Sequence, residues 1–212
     1  KSRSRGLGDV YKRQGLYFIV GESQFLSHDF DNILSKSLDL GLNLLQYRFD
    51  SENFFIEHEE KILNAIDKVK SYESINIVNN FYTVLDRFSF DGIHLGQSDI
   101  PLDLVKYISN DKIIGVSCYN NFNLAKDAVR YDIDYVSFGS YTHSLTKQNA
   151  KKMNKKELKK VSNFSLLPKT IIGGIDLSNI DDQELKNFEM IAASKGIMEC
   201  NDLDKLFMLA KK

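Results

Sequence analysis

Residues 135–150 read YVSFGSYTHSLTKQNA, and this segment contains the strand-and-loop unit from which we predict the fold. A short apolar run reaches Phe138, ends at a glycine and is followed by a polar loop. The loop supplies four hydroxyl groups and one ammonium group, on Ser140, Thr142, Ser144, Thr146 and Lys147. Hydroxyls donate hydrogen bonds and lysine adds a point charge, so this loop is typical of phosphate binding. An ordinary polar surface loop is the alternative interpretation of the segment taken alone.

Seven more short apolar runs are spaced along the chain. The eight runs cover residues 16–20, 42–47, 75–78, 92–95, 112–116, 135–138, 170–172 and 190–193. Helical patterns separate them, at residues 29–40, 52–69, 82–88, from 101, 122–130, 155–161, 176–186 and 203–210. No two runs are joined by a two-residue hairpin turn, so the alternation predicts a parallel sheet covered by helices. Eight repeats in about 200 residues favour a single (β/α)8 TIM barrel over the alternative, an open doubly wound sheet.

Composition excludes several classes of function. The 212 residues include 28 Lys and Arg against 29 Asp and Glu, so no basic field indicates nucleic acid. No run is long and apolar enough to indicate a membrane span. The two cysteines form no metal-binding pattern, so we expect a reduced, cytoplasmic setting. A homo-oligomer is compatible with the sequence, which does not decide the oligomeric state.

The first fourteen residues, KSRSRGLGDVYKRQ, are basic and have no apolar period. The letters DVYKRQ also resemble the translation of an adapter used in preparing sequencing libraries. We therefore expect residues 1–14 to be a non-native segment or a disordered leader, and residues 15–212 to form the barrel.

In a barrel of this kind the chemistry is located at the carboxyl ends of the strands. The residues that follow the apolar runs should therefore lie together: Gln46, Arg48, Asn79, Asn80, Gly96, Gln97, Asp99, Ser117, residues 140–147, Gly173, Gly174, Ser194 and Lys195. This set is rich in hydrogen-bond donors and cations and has one carboxylate. It suits an anionic, phosphate-bearing ligand together with a divalent ion.

Gln46 and Arg48 alternate with apolar residues, so both should point into the barrel. An inward arginine needs an anion, which would be either a diphosphate or an internal ion-pair partner. Asp99 could bind Mg²⁺ or cap the helix ahead of Pro101. His94, inside an apolar run, is interpreted as a core residue. Cys118 has no histidine or aspartate pattern that would make it a nucleophile.

Six segments of the chain resemble the thiamine phosphate synthase family. They are LLQYR at 44–48, INIVNN at 75–80, DGIHLGQSDIP at 91–101, IIGVSCYN at 113–120, FGSYTHSLTKQNA at 138–150 and IGGI at 172–175. They occur in the family's order and spacing across nearly all of residues 15–212. The resemblance implies a transferase of thiamine biosynthesis. Such enzymes join 4-amino-2-methyl-5-(diphosphomethyl)pyrimidine to 4-methyl-5-(2-phosphoethyl)thiazole (carboxythiazole phosphate) and release diphosphate.

The resemblance also implies roles for individual residues of this chain. Those implied to meet the pyrimidine substrate are Gln46, Arg48 and Asn79. Those implied at the diphosphate are Arg48, Ser117 and Lys147, which we take as the catalytic set. Those implied at the thiazole phosphate are Ser144, Thr146, Gly174 and Ser194, with Lys195 as an additional cation. The cofactor Mg²⁺ is implied at Asn80 and Asp99.

The chain departs from the family pattern at several of these positions. Gly21 stands where the family usually has an acidic residue, and Asp50 where it has a lysine. Asn80 replaces an aspartate, which should weaken Mg²⁺ binding because an amide oxygen carries no charge. Lys195 stands where the family has a small residue, and we hypothesise that it partly compensates for the lost cation.

These departures leave two alternatives to a working synthase. One is a catalytically altered paralogue resembling thiazole tautomerases, but these use a histidine where this chain has Tyr119. The other is a non-catalytic binder of thiazole or pyrimidine phosphates. The departures at Asp50 and Asn80 are compatible with this alternative.

Overall fold

The computed structural model describes residues 15–107, 111–142, 152–180 and 183–210. Eight parallel strands pair in chain order and close into a barrel, since β1 pairs with both β2 and β8. The strands are β1 (Gly15–Val20), β2 (Leu44–Tyr47), β3 (Ile75–Asn79), β4 (Gly92–Leu95), β5 (Ile113–Ser117), β6 (Tyr135–Phe138), β7 (Lys169–Ile172) and β8 (Met190–Ala193). The predicted (β/α)8 barrel is confirmed, and the alternative of an open sheet is wrong.

Helices separate the strands on the outside of the barrel. The α-helices are α1 (Glu22–Phe25), α2 (Phe30–Asp39), α3 (Glu52–Glu57), α4 (Glu59–Ser71), α5 (Phe122–Ala128), α6 (Lys155–Ser162), α7 (Lys195–Met198) and α8 (Leu203–Ala210). Short 3₁₀ helices occupy Tyr82–Val84, Leu102–Tyr107 and Gln183–Asn187 among the described residues. None of the described helices is long and apolar enough to cross a membrane.

Where helices were predicted at residues 82–88, from 101 and at 176–186, the described residues form 3₁₀ segments and turns. The cause is visible at the last of them. Asp176 Oδ1 accepts hydrogen bonds from both the backbone nitrogen and the hydroxyl of Ser178, at 2.9 and 2.5 Å. A side chain that bonds its own backbone two residues on favours a turn over a helix.

Two hydrophobic cores hold the barrel together. The larger lies between strands and helices, where Phe25 packs against Phe30 and Phe49 with ring centroids 4.9 and 5.2 Å apart. The smaller fills the barrel interior with alternate strand residues, including Ile19 and Leu44. Each buried aromatic or branched side chain contributes about 1.5–3 kcal/mol. Because the strands are largely apolar on both faces, most of the polar side chains that follow them are gathered at the barrel's edge.

Candidate active site

Among the predicted site residues, those within the described part of the chain lie at the carboxyl end of the strands. Gln46 is in β2, Asn79 ends β3 and Ser117 ends β5. Asp99 and Ser194 follow β4 and β8. Since the strands are parallel and the barrel is closed, these residues share one edge. The predicted phosphate residues Ser144, Thr146 and Lys147 lie outside the described residues.

At β2, Gln46 points into the barrel and Arg48 follows at the rim. Gln46 is 2% exposed and its Nε2 donates to Tyr17 Oη at 2.9 Å. The Arg48 backbone nitrogen donates to Val20 O at 2.9 Å, which fixes this part of the chain to β1. The Arg48 side chain is half-buried and forms no ion pair within the described ranges. The internal ion pair that the sequence left open for Arg48 is therefore not found among the described residues.

Asp50 departs from the family pattern and is exposed at the mouth of the barrel. Phe49, just before it, is 3% exposed and holds the segment against the outer core. The Asp50 backbone nitrogen donates to Glu22 Oε1 at 2.8 Å. Glu22 directly follows Gly21, which stands where the family usually has an acidic residue. This part of the mouth therefore carries two carboxylates, and the signal for Glu22 was its place two residues after the first apolar run.

The two predicted metal ligands lie after β3 and β4. Asn80 has a left-handed backbone with φ 67°, and its nitrogen donates to His94 O at 2.9 Å. Asparagine tolerates this conformation better than most residues. Asp99 Oδ2 accepts from Gly96 N at 2.6 Å, so the carboxylate is turned back to the end of β4. Within the described ranges, no group of three His, Cys, Asp or Glu side chains could hold a metal ion.

Ser117 is held from the neighbouring loop. Gln97 Nε2 donates to the Ser117 carbonyl at 2.5 Å, which ties the loop after β4 to the end of β5. Tyr119 has a left-handed backbone with φ 51° and is 49% exposed. Cys118, between them, is buried, and burial raises the pKa of its thiol to about 12. A thiol that stays protonated is a poor nucleophile, in agreement with the prediction for Cys118.

The loop after β6 continues along the end of β7. Tyr141 N donates to Ile172 O and Thr142 N donates to Gly173 O, both at 2.9 Å. Gly173 has φ 116°, and a Cβ there would lie 2.1 Å from Ser140 Oγ. Only glycine fits this position, which explains the first residue of the glycine pair.

The loops after β7 and β8 pack tightly on each other. Gly174 has φ 64°, and its carbonyl accepts from Asn179 Nδ2 at 2.9 Å. Gly196, in α7, lies so close to the β7 loop that a Cβ would be 2.0 Å from Ile175 O. Backbone N–H groups at such glycine-rich turns form cradles for anions. Sequence reasoning missed Gly196, although a glycine two residues after Ser194 was a signal for close packing.

Ser194 is also joined to the loop after β1. Its hydroxyl donates to Gln24 Oε1 at 2.9 Å, and the same oxygen accepts from Gly21 N at 3.0 Å. The Lys195 ammonium is 3.9 Å from the Glu199 carboxylate and about half exposed. The loops of β1, β7 and β8 therefore meet at Ser194, with a cation at their outer side.

His94 lies deep in the barrel, as predicted for a core residue. It is 9% exposed and stacks on Tyr135 with 5.5 Å between ring centroids. Neither Tyr135 nor Tyr17 was singled out in the sequence, because a tyrosine within an apolar run has the pattern of a core residue.

A closed barrel with polar side chains and glycine turns gathered at one edge defines the class of (β/α)8 barrel enzymes that act on small molecules at that edge. The sequence matches the family described as thiamine monophosphate synthase over residues 16–197. The chain belongs to the thiamine monophosphate synthase family.

Relatives and solved structures agree with this assignment. A thiamine-phosphate synthase of Picrophilus torridus is 35% identical over 173 residues, which are 81% of this chain and 82% of the relative. One from a Hydrogenobaculum species is 30% identical over 191 residues, 90% of this chain and 88% of the relative. The structure of a thiamine phosphate pyrophosphorylase from Pyrococcus furiosus shares the fold, with a TM-score of 0.78, 22% identity and 95% of each chain covered. These matches give no support to the altered-paralogue or non-catalytic alternatives.

Proposed function

We propose that this chain joins 4-amino-2-methyl-5-(diphosphomethyl)pyrimidine to 4-methyl-5-(2-phosphoethyl)thiazole to give thiamine phosphate and diphosphate. With the carboxylated form of the thiazole, the carboxyl group leaves as CO₂ in addition. The observation that carries the proposal is family membership over residues 16–197 of the barrel. The two small-molecule substrates are its partners. The two cysteines are free, which supports a reduced, cytoplasmic setting.

In the reaction, the thiazole nitrogen forms a bond to the methylene carbon of the pyrimidine. The bond from that carbon to the diphosphate oxygen breaks, and its electron pair leaves with the diphosphate. The site must therefore stabilise negative charge on the departing group. We assign this task to Arg48 and Ser117, together with Lys147 from the loop after β6.

The thiazole phosphate is assigned to the other side of the barrel's edge. The Gly174 backbone and Ser194 would hold the phosphate with Ser144 and Thr146, while Lys195 adds charge. The supporting observation is the close packing of the β7 and β8 loops at Gly196. A phosphate held there keeps the thiazole ring aligned, which lowers the entropic part of the barrier.

Asn80 and Asp99 would hold Mg²⁺. Their oxygens suit a hard cation, and Mg²⁺ commonly uses one or two protein ligands together with substrate phosphates and water. When bound, Mg²⁺ would neutralise charge on the diphosphate. Asp99 Oδ2 accepts the hydrogen bond from the Gly96 backbone nitrogen, and the second carboxylate oxygen, Oδ1, takes no part in that bond.

The role of Arg48 is tested against a second arginine. Arg87 is exposed and pairs with Glu59 at 3.0 Å on the outside of the barrel. Surface pairs of this kind contribute about 0–1 kcal/mol, so Arg87→Ala should leave diphosphate release unchanged. We expect Arg48→Ala to lower kcat by about 10²–10³-fold, as removing one donor to developing charge does elsewhere. Equal rates of diphosphate release from the two variants would refute the assignment.

A further inference from the structure

A series of polar side chains crosses the barrel interior and ends at Gln46. Gln46 Nε2 donates to Tyr17 Oη at 2.9 Å, and the Tyr17 and Tyr135 hydroxyl oxygens are 2.8 Å apart. Tyr135 Oη lies 3.0 Å from His94 Nδ1, and His94 Nε2 lies 3.3 Å from Ser137 Oγ. All five residues are buried. Hydrogen bonds in such a low-dielectric interior are strong and orient one another.

Tyr135 can cross the barrel because its neighbour on β5 is a glycine. Gly115 pairs with Tyr135 in the register of β5 and β6. A Cβ on Gly115 would lie 2.1 Å from Tyr135 Cζ and 2.4 Å from Tyr135 Oη. Any side chain there would displace the phenol ring. Gly115 therefore provides the space through which the Tyr135 hydroxyl reaches Tyr17.

The direction of these hydrogen bonds follows from the donors and acceptors available. Gln46 Nε2 can only donate, so the Tyr17 oxygen accepts there and the Tyr17 proton must go to another atom. Within the described residues, the acceptor in reach of that proton is Tyr135 Oη. Burial and the neighbouring Tyr135 raise the pKa of the Tyr17 phenol well above its ordinary value, so its proton stays in place.

This arrangement decides which end of the Gln46 amide faces a ligand. With Nε2 held by Tyr17, the oxygen Oε1 remains as the other hydrogen-bonding atom of the amide, and among the described residues Tyr17 is the side-chain partner found for this amide. Without the Tyr135 hydroxyl, the Tyr17 proton would need a new acceptor. The Gln46 amide could supply one by turning over, and it would then present its NH₂ group to the ligand instead of its oxygen.

We infer that Tyr135 is a positioning residue that fixes the orientation of the Gln46 amide and thereby selects a pyrimidine bearing an amino group. The inference rests on the proposed function for the identity of the ring. An amino group on the pyrimidine donates a hydrogen bond to Gln46 Oε1. An oxo group at the same carbon would instead place an acceptor oxygen against Oε1, which is also an acceptor. Sites built to pair one polar group reject analogues that leave it unpaired.

The test compares Tyr135→Phe with Tyr47→Phe. The Tyr47 hydroxyl is also buried and donates to Asn76 Oδ1 at 3.0 Å, in the core between strands and helices and on the opposite face of β2 from the Gln46 side chain. Each variant thus loses one buried hydroxyl, but only Tyr135→Phe alters the series that ends at Gln46.

The probes are pyrimidine monophosphates with an amino or an oxo group at the same carbon, which bind but cannot release diphosphate. Calorimetry with Mg²⁺ gives their dissociation constants for the full chain. We expect the ratio of the two dissociation constants, which measures the preference for the amino compound, to fall roughly tenfold in Tyr135→Phe. A change of this size corresponds to the loss of one hydrogen bond between polar groups. The preference should stay at the wild-type value in Tyr47→Phe. An unchanged preference in Tyr135→Phe would overturn the inference.

A second readout needs no ligand. The ¹⁵N side-chain amide signals of Gln46, assigned with Gln46→Glu, should exchange slowly with solvent in the wild type and in Tyr47→Phe. They should shift and exchange faster in Tyr135→Phe, and unchanged signals would overturn the inference even in an active synthase. A wild type that forms no thiamine phosphate would overturn the proposed function instead. The Gln46 signals would still show whether Tyr135 fixes the orientation of the Gln46 amide.

Discussion

Replacing Gly196 by alanine perturbs the candidate phosphate site at the contact between its two loops. A Cβ on Gly196 would lie 2.0 Å from Ile175 O and 3.0 Å from Asp176 Cα, which are both backbone atoms. Ordinary van der Waals contact begins at 3.4 Å, so the loops must separate by about 1.4 Å. A displacement of about 1 Å can cost about a hundredfold in rate. Overpacking of this kind also costs about 1–3 kcal/mol of stability.

We therefore expect Gly196→Ala to lower kcat/KM for the thiazole phosphate about a hundredfold. Binding of the pyrimidine should be unchanged, because Gln46 is in β2 and Arg48 directly follows it, away from the loops of β7 and β8. Gly21→Ala is the matched control, since its Cβ would make only ordinary contacts, at 3.7 Å from Gln24 Oε1 and 3.8 Å from Arg48 O. Steady-state kinetics and thermal unfolding of both variants separate the effect on the site from the effect on stability. Wild-type kcat/KM in Gly196→Ala would refute the phosphate site between these loops.

Three further predictions concern single side chains. Burial raises the pKa of Cys118 from 9.0 to about 12. Titration with a thiol reagent at about pH 8 should therefore find Cys200 alone in the folded chain, and both cysteines after unfolding. The same shift favours the unfolded state as pH rises from about 9 towards 12, because only the unfolded thiol ionises there. Two reactive thiols in the folded chain would contradict this account. Lys195→Ala should raise KM for at least one substrate by about threefold, the scale of a half-exposed charge pair; the compensation hypothesis fails if both KM values are unchanged. Asn80→Asp should lower the Mg²⁺ concentration for half-maximal diphosphate release by roughly tenfold, because it restores a charged ligand. An unchanged Mg²⁺ requirement would show that residue 80 does not contact the ion.

The barrel could be predicted because its strands are buried on both faces. Such strands are short continuous apolar runs, and residues 92–95 were predicted with the same bounds as β4 (Gly92–Leu95). The prediction of α-helices at residues 82–88 and 176–186 was wrong, because local turns such as the one at Asp176 compete with helical hydrogen bonds. Pattern reasoning therefore located strands better than the short connections between them.

Within the candidate site, the sequence indicated residues that directly follow strands. Alternation placed Gln46 inside the barrel, where it is found. The contacts that orient those residues could not be predicted, because they join distant parts of the chain. Tyr17 and Tyr135 are separated by 118 positions, and Gln24 and Ser194 by 170. No local period encodes such a pair, and their side chains resemble core or turn residues in the sequence.

The central claim is that this barrel forms thiamine phosphate, and the most direct measurement is the yield of that product. The full chain is incubated with both substrates and Mg²⁺, and thiamine phosphate and diphosphate are quantified together. We expect the two products in equal amounts, formed only when both substrates and Mg²⁺ are present, despite Asp50 and Asn80. Folded protein that forms neither product at saturating Mg²⁺ would contradict the account.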